Sequence, residues 1–190
     1  VKANAYGHGA IPVAKHLESL GVNWFGVATP GEAIELRRGG VLGKILIFSP
    51  VYQQIRELVD YGISLTVADQ ASLEVIKTAK TPAKVHLKVD TGMGRLGLNP
   101  QGATTLFETV LKTGLELEGV WTHFATSDDQ DKAFAQIQLE NFETLLRATE
   151  NAQVQPSIHA ANSSAIFAWP ESHFDMVRPG IALHGYHSSP

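Results

Sequence analysis

Short β-prone runs recur along this chain, and segments with helical periodicity lie between them. The runs cover residues 24–28, 45–48, 65–68, 85–89, 117–122, 157–159 and 177–183, and a stub at Val1 makes eight candidate strands. Starts near residues 24, 44, 64 and 84 set a repeat of about 20 residues. That is short, but workable for parallel strands joined by crossover helices. Helical spacing appears in 11–20, where Val13, Leu17 and Leu20 share a face, and in 52–61, 71–79 and 101–113. It appears again in 132–151, with Phe134, Ile137, Phe142, Leu145 and Leu146 as the apolar stripe. Pro30 and Pro100 open helices, while Gly21, Gly39-Gly40, Gly62 and Gly114 close them. The alternation predicts an α/β chain, and eight units favour a closed (β/α)8 TIM-type barrel over an open doubly wound sheet.

A length of 190 residues suits one such domain, expected to span residues 1–190 around a single core. Hydrophobic residues at 44% and charged residues at 18% are too apolar for a disordered chain. A net charge of −4, with no Lys/Arg run interleaved with aromatics, argues against a nucleic-acid partner. No apolar run approaches the ~18 residues of a membrane helix, and no secretory leader is visible. The absence of cysteine excludes disulfides, thiolate metal sites and thiol nucleophiles. Opening on Val1, the sequence reads as a piece of a longer protein.

In a barrel, chemistry collects where strands end and loops begin. Lys2 follows the first stub, Lys88 and Asp90 end the 85–89 run, and Thr122-His123 ends the next. His159, Asn162, Ser163 and Ser164 follow the seventh run, and Arg178-Pro179-Gly180 lies in the eighth. Taken alone, Lys2 reads either as a surface lysine before a Gly-rich loop or as a Schiff-base lysine, whose amine becomes nucleophilic when its pKa is lowered. Composition does not choose between them. His8, His16, His86, His159, His173, His184 and His187 form no ligand pattern, so no metal site is expected.

The order of residues does choose. Val1-Lys2-Ala3-Asn4-Ala5-Tyr6-Gly7-His8-Gly9 resembles the pyridoxal-phosphate attachment motif of the alanine racemases. Residues 88–97 (Lys-Val-Asp-Thr-Gly-Met-Gly-Arg-Leu-Gly), 122–125 (Thr-His-Phe-Ala), 159–165 (His-Ala-Ala-Asn-Ser-Ser-Ala) and 177–183 (Val-Arg-Pro-Gly-Ile-Ala-Leu) resemble four more motifs of that family, in the same order. The resemblance implies pyridoxal 5′-phosphate as cofactor, Lys2 as its Schiff-base partner and one catalytic base, and Tyr6, Ser163, Gly180 and Ile181 around the phosphate. It implies Arg178 against the ring nitrogen, His123 beside that arginine, Arg95 at the phenolic oxygen and substrate carboxylate, and Asn162 in support. Lys88 matches a position that is carbamylated in some members. His184 departs from the pattern, since relatives often carry Tyr there.

The same resemblance places the rest of the first strand, an N-terminal helix and a C-terminal β domain with the second base, a tyrosine, outside these residues. The expectation is a cytoplasmic homodimer that interconverts L- and D-alanine for peptidoglycan, with this partial barrel inactive alone. Rival readings are a non-catalytic pyridoxal-phosphate homeostasis barrel and a broader-specificity amino-acid racemase. The homeostasis proteins lack the run seen at residues 3–9. A decarboxylase on the same barrel type would pair the ring nitrogen with an acid, and Arg178 argues against it.

Overall fold

The computed structural model describes residues 1–150 and 152–186, so Asn151, the expected end of a helix, and His187 lie outside the described residues. Two compact units are formed, Val1–Val85 and His86–Pro190.

The first unit runs α1 (Lys2–Tyr6), α2 (Ala10–Ser19), β1 (Trp24–Val27), α3 (Pro30–Arg38), β2 (Lys44–Pro50), α4 (Ile55–Asp60), β3 (Ile63–Val67), α5 (Gln70–Thr78). β1 pairs parallel with β2 and β2 with β3, with Phe25 opposite Ile45 and Ile45 opposite Ile63. Ile45, Leu46, Ile47 and all of β3 are buried, as expected for parallel strands covered on both faces. Each such aliphatic side chain contributes about 1.5–3 kcal/mol by leaving water. α3 and α5 start in capping boxes, Thr29 with Glu32 and Asp69 with Ser72, and Pro30 fills the first helical position of α3.

β4 (Lys84–Lys88) begins at the end of the first unit and leads into the second, which continues α6 (Pro100–Leu111), β5 (Glu116–Trp121), α7 (Ala133–Thr149), β6 (Ser157–His159) and α8 (Ser163–Ala168). β5 pairs parallel with β6, setting Trp121 opposite His159, and the Val89 N–H donates to the Trp121 carbonyl. Leu106, Phe107 and Val110 of α6 and Leu139, Phe142 and Leu145 of α7 are buried.

Six of the eight candidate strands form among the described residues, within a few residues of their expected bounds. Val1 belongs to no strand, although its nitrogen donates to the Gly26 carbonyl of β1. Residues 177–183 are not a strand either. Pro179 lacks a ladder donor, and the chain turns at Gly180 into a 3-10 helix, Ile181–His184. The apolar stripe of α7 is also corrected. Phe134 and Ile137 are exposed, and the buried face is Ala135, Gln138, Leu139, Phe142 and Leu145. Gln138 turns inward because it satisfies three partners there, described below. In α2 the deepest residues are Ala10 and Ala14, and Leu20 is exposed beyond the last turn.

Candidate active site

Lys2 stands at the head of a turn with an unusual backbone. Ala3, Asn4 and Ala5 have φ of 52°, 53° and 51°, and Tyr6 has 56°, so four successive non-glycine residues run left-handed. Such a conformation costs L-residues roughly 1–2 kcal/mol each, and it persists only where neighbours over-determine it. They do so here. The Gly7 and Gly9 N–H groups donate to the Asn4 carbonyl, and Asn4 Oδ1 accepts from the Ala10 N–H at 2.8 Å. Glu32 Oε1 accepts from the Ala3 N–H at 2.6 Å, while its Oε2 accepts from Ala28 at 2.7 Å and Thr29 at 3.2 Å. The helix-cap carboxylate thereby clamps the lysine turn. Lys2 and Tyr6 are both exposed, and Lys2 Nζ lies 5.0 Å from the Tyr6 ring centroid.

The second unit is organised around Arg178. Its Nη1 donates to His159 Nδ1 at 2.9 Å. Its Nη2 donates to the carbonyls of Thr122 at 2.7 Å and Ala160 at 2.8 Å, and meets His123 Nδ1 at 3.3 Å. Among the described residues no acceptor is paired with Nε. The residue keeps some exposure, but its guanidinium is enclosed, and this burial pulls its pKa down to about 9. It stays protonated at neutral pH. The Arg178 guanidinium and Lys88 Nζ both approach the ring of buried Trp121, each 5.1 Å from its centroid.

Lys88 is 2% exposed, and its ammonium donates to the Val89 carbonyl. Burial, helped by Arg178 and Arg95 and opposed by Asp90, brings its pKa from 10.5 down to about 7. Asp90 in turn holds the loop that carries Arg95. Its Oδ1 accepts from the N–H groups of Gly92 at 2.9 Å and Gly94 at 3.1 Å, and its Oδ2 from Arg95 at 3.0 Å. Burial pushes the Asp90 carboxyl up, but these donors and Lys88 outweigh it and hold the group below its usual 3.8. The loop closes tightly at Gly97, with φ of 100°, where an added Cβ would stand 2.7 Å from the Lys88 carbonyl oxygen and the Asp90 nitrogen. The Arg95 side chain itself is exposed.

Ser163, Gly180 and Ile181 meet in one corner of the same unit. Ser163 Oγ accepts from the Gly180 N–H at 2.9 Å and the Ala182 N–H at 3.3 Å. Among the described residues no acceptor is paired with the Ile181 N–H. The cap of α8 is Asn162, not Ser163: Asn162 Oδ1 accepts from the Ala165 N–H at 3.1 Å and from Ser127 Oγ at 2.8 Å.

Tyr6 joins Lys2 in the first unit, and Lys88, Arg95, His123, Asn162, Ser163, Arg178, Gly180 and Ile181 all fall in the second. Sequence reasoning missed the residues that hold these side chains: Glu32, Asp90 as a clamp, and Gln138. Gln138 accepts from the Ala125 N–H and donates to Thr91 Oγ1 and the His123 carbonyl. Glu32 alone had a local signal, the Thr-Pro-Gly-Glu capping pattern. Among the described residues no group of three or more His, Cys, Asp or Glu could hold a metal ion, and no helix is long and apolar enough to cross a membrane.

The family model described as alanine racemase, N-terminal domain, matches residues 1–188. The chain belongs to the alanine racemase family. Alanine racemase 1 of Oceanobacillus iheyensis is 42% identical over 97% of this chain and 51% of its own length, and the alanine racemase of Treponema denticola is 42% identical over 100% and 53%. The chain thus spans about half the length of these curated relatives. The alanine racemase of Clostridium difficile 630 in complex with cycloserine superposes with a TM-score of 0.92 at 36% identity, over 100% of this chain and 54% of that one. The Bacillus anthracis alanine racemase with bound L-Ala-P gives 0.91 at 33% identity, over 100% and 51%. The α/β alternation is therefore that of the family's N-terminal TIM-type barrel.

The family is pyridoxal-phosphate dependent, and the donor set here suits that group. An enclosed guanidinium, protonated at neutral pH, keeps its Nε–H unpaired among the described residues, a serine and a backbone N–H share a corner, and a lysine is held on an over-determined turn.

Proposed function

We propose that the protein to which this chain belongs interconverts L- and D-alanine with pyridoxal 5′-phosphate, as a cytoplasmic homodimer supplying D-alanine for peptidoglycan. Arg178 carries the reading. Four contacts engage its terminal nitrogens, and Nε–H, unpaired among the described residues, is a donor for a ring nitrogen. A guanidinium has no acceptor, so a ring nitrogen facing it is held without a proton of its own. When bound, the cofactor supplies an electron sink that labilises the Cα–H bond of an amino acid. With Arg178 that sink is moderated, which favours return of the proton to Cα over transamination.

Lys2 holds the cofactor and moves a proton on one face of Cα. The opposite face needs a second group, which the family resemblance assigns to a tyrosine outside these residues, brought by the partner subunit. Tyr6, Ser163, Gly180 and Ile181 bind phosphate, the Ile181 N–H being a donor with no acceptor paired to it among the described residues. His123 steadies Arg178, and Asn162 keeps α8 capped beneath Ser163. Arg95 orients the substrate carboxylate.

A pKa of about 7 leaves much of Lys88 as the neutral amine at physiological pH, the form that adds carbon dioxide. Carbamylation there replaces a cation that repels Arg95 with an anion that attracts it.

The test is borohydride reduction of the cofactor-loaded intact protein, peptide mapping, and chiral assay of alanine and serine. A label on Lys2, turnover of alanine well above serine, and loss of at least about a thousandfold in kcat for Lys2→Ala are expected. Bound cofactor with no label on Lys2, or no alanine turnover, overturns the reading. Comparable rates on serine point to the broader racemase.

A further inference from the structure

Behind Arg178 a line of buried polar groups leads away from its free donor. Arg178 Nη1 meets His159 Nδ1 at 2.9 Å, His159 Nε2 meets His86 Nδ1 at 2.9 Å, and His86 Nε2 lies 3.5 Å from Glu118 Oε2. Both histidines are fully buried, and the Glu118 side chain is 8% exposed. All four residues belong to the second unit. We propose that His86 and Glu118 are positioning residues for Arg178: two hydrogen bonds in single file, with the Glu118 carboxylate at ion-pair distance from their far end, hold His159 and His86 in the same tautomer, protonated on Nε2 and bare on Nδ1.

The proton order follows from the arginine. A guanidinium only donates, so His159 Nδ1 must accept. A neutral His159 then carries its proton on Nε2 and donates to His86 Nδ1, which must also accept. His86 in turn carries its proton on Nε2, and the Glu118 carboxylate, 3.5 Å away, favours it there. The reverse order fails at its first link, because a proton on His159 Nδ1 would face an arginine N–H. Burial, then Arg178 and His86, hold the His159 pKa well below its usual 6.5, consistent with a neutral ring.

The packing is built for this line. His159 stacks on Trp121 with centroids 5.9 Å apart and planes 6° from parallel, and His86 meets His159 edge-on at 5.1 Å and 72°. Neither ring turns without displacing the other. Gly119, next to Glu118 on β5, is the floor beneath His86: a Cβ there would stand 2.2 Å from His86 Nδ1 and 2.4 Å from Cε1. A glycine is required where the imidazole lies against the strand.

Loss of the carboxylate at position 118 removes the anion that favours a proton on His86 Nε2, and a shift of that proton to Nδ1 would confront the His159 N–H. The disturbance then reaches the guanidinium. Its effect on catalysis rests on the racemase reading, whereas the proton order does not.

The test uses the intact protein with 15N-labelled histidine and ring-nitrogen NMR, assigned with single His→Gln variants, beside racemase kinetics with bound cofactor. In the native protein both His86 and His159 should show a protonated Nε2 and a bare Nδ1. Glu118→Leu should move the ring signals of both and lower kcat about tenfold, the low end for an outer partner of a site ligand, with KM for alanine little changed. Glu118→Gln keeps an acceptor oxygen and should restore the native signals and most of kcat. Gly119→Ala should reproduce the leucine effect. A native His159 protonated on Nδ1 or on both nitrogens overturns the proposal, as does Glu118→Leu leaving the His159 signals in place or Glu118→Gln behaving like leucine. If Glu118→Leu fails to fold, the native tautomers and Glu118→Gln still decide. Ordered tautomers without racemisation would sink the functional reading alone.

Discussion

The two units hold their key cations in opposite ways. Lys2 is exposed, and what is fixed is its backbone, a left-handed turn fastened by Glu32 and Asn4. Arg178 has its charged end enclosed, and what is fixed is its side chain, held by two histidines and two carbonyls. A nucleophile that must change partners needs a mobile tip on a rigid base. A permanent donor needs a rigid tip. Arg95 follows the Lys2 pattern: its side chain is exposed, while Asp90 accepts three backbone N–H groups of its loop, as Glu32 accepts three in the other unit.

Removing the buried tip should separate the two modes most widely. Arg178→Leu strands His159 Nδ1 and the Thr122 and Ala160 carbonyls, and urea denaturation should show a loss of about 3–5 kcal/mol. Lys2→Ala, on an exposed side chain, should stay within about 0.5 kcal/mol of native. Equal losses would break the contrast.

Lys88 sharpens it through pH. Its folded pKa of about 7 lies below its ordinary 10.5, so the unfolded chain binds the extra proton between those values and stability rises with pH across that window. Lys88→Met should therefore be about 1–2 kcal/mol more stable than native below pH 7, where the full cost of the buried charge is present. The advantage should shrink from pH 7 to 9. A gap that is flat or widening in denaturation series would show that the lysine is not titrating there.

The smallest effects belong to the two clamps. Glu32→Ala and Asp90→Ala should each cost about 1 kcal/mol, and Glu32→Gln, which keeps its acceptor oxygen, should recover much of the first loss. The Asp90 contribution is present above pH 3.8 and is lost as pH falls through its lower folded pKa. Greater protease sensitivity near residues 2–6 for Glu32→Ala and near 92–97 for Asp90→Ala, by timed digestion, would tie each carboxylate to its own loop.

The strands were legible because parallel β-strands buried on both faces leave unbroken apolar runs, as in 45–48 and 65–68. The 177–183 run failed because apolar composition does not supply the ladder donors that Pro179 lacks. Phe134 and Ile137 misled for a related reason: helical periodicity finds a stripe, but Gln138 and its three partners decided which stripe faces inward. The candidate site residues were legible from motif order. Their supports were not, since Glu118, His86 and His159 meet only through long-range contacts, that between the two histidines spanning 73 residues of chain.

By itself the sequence determined the α/β alternation, the helix starts at Thr29, Asp69 and Asn99, and the family, because these rest on local periodicity, caps and residue order. Tertiary structure alone decided the left-handed turn after Lys2, the depressed pKa of Lys88 and the partners of Arg178. Strain, desolvation and hydrogen-bond direction depend on what surrounds a group in space, and neighbours along the chain do not reveal it.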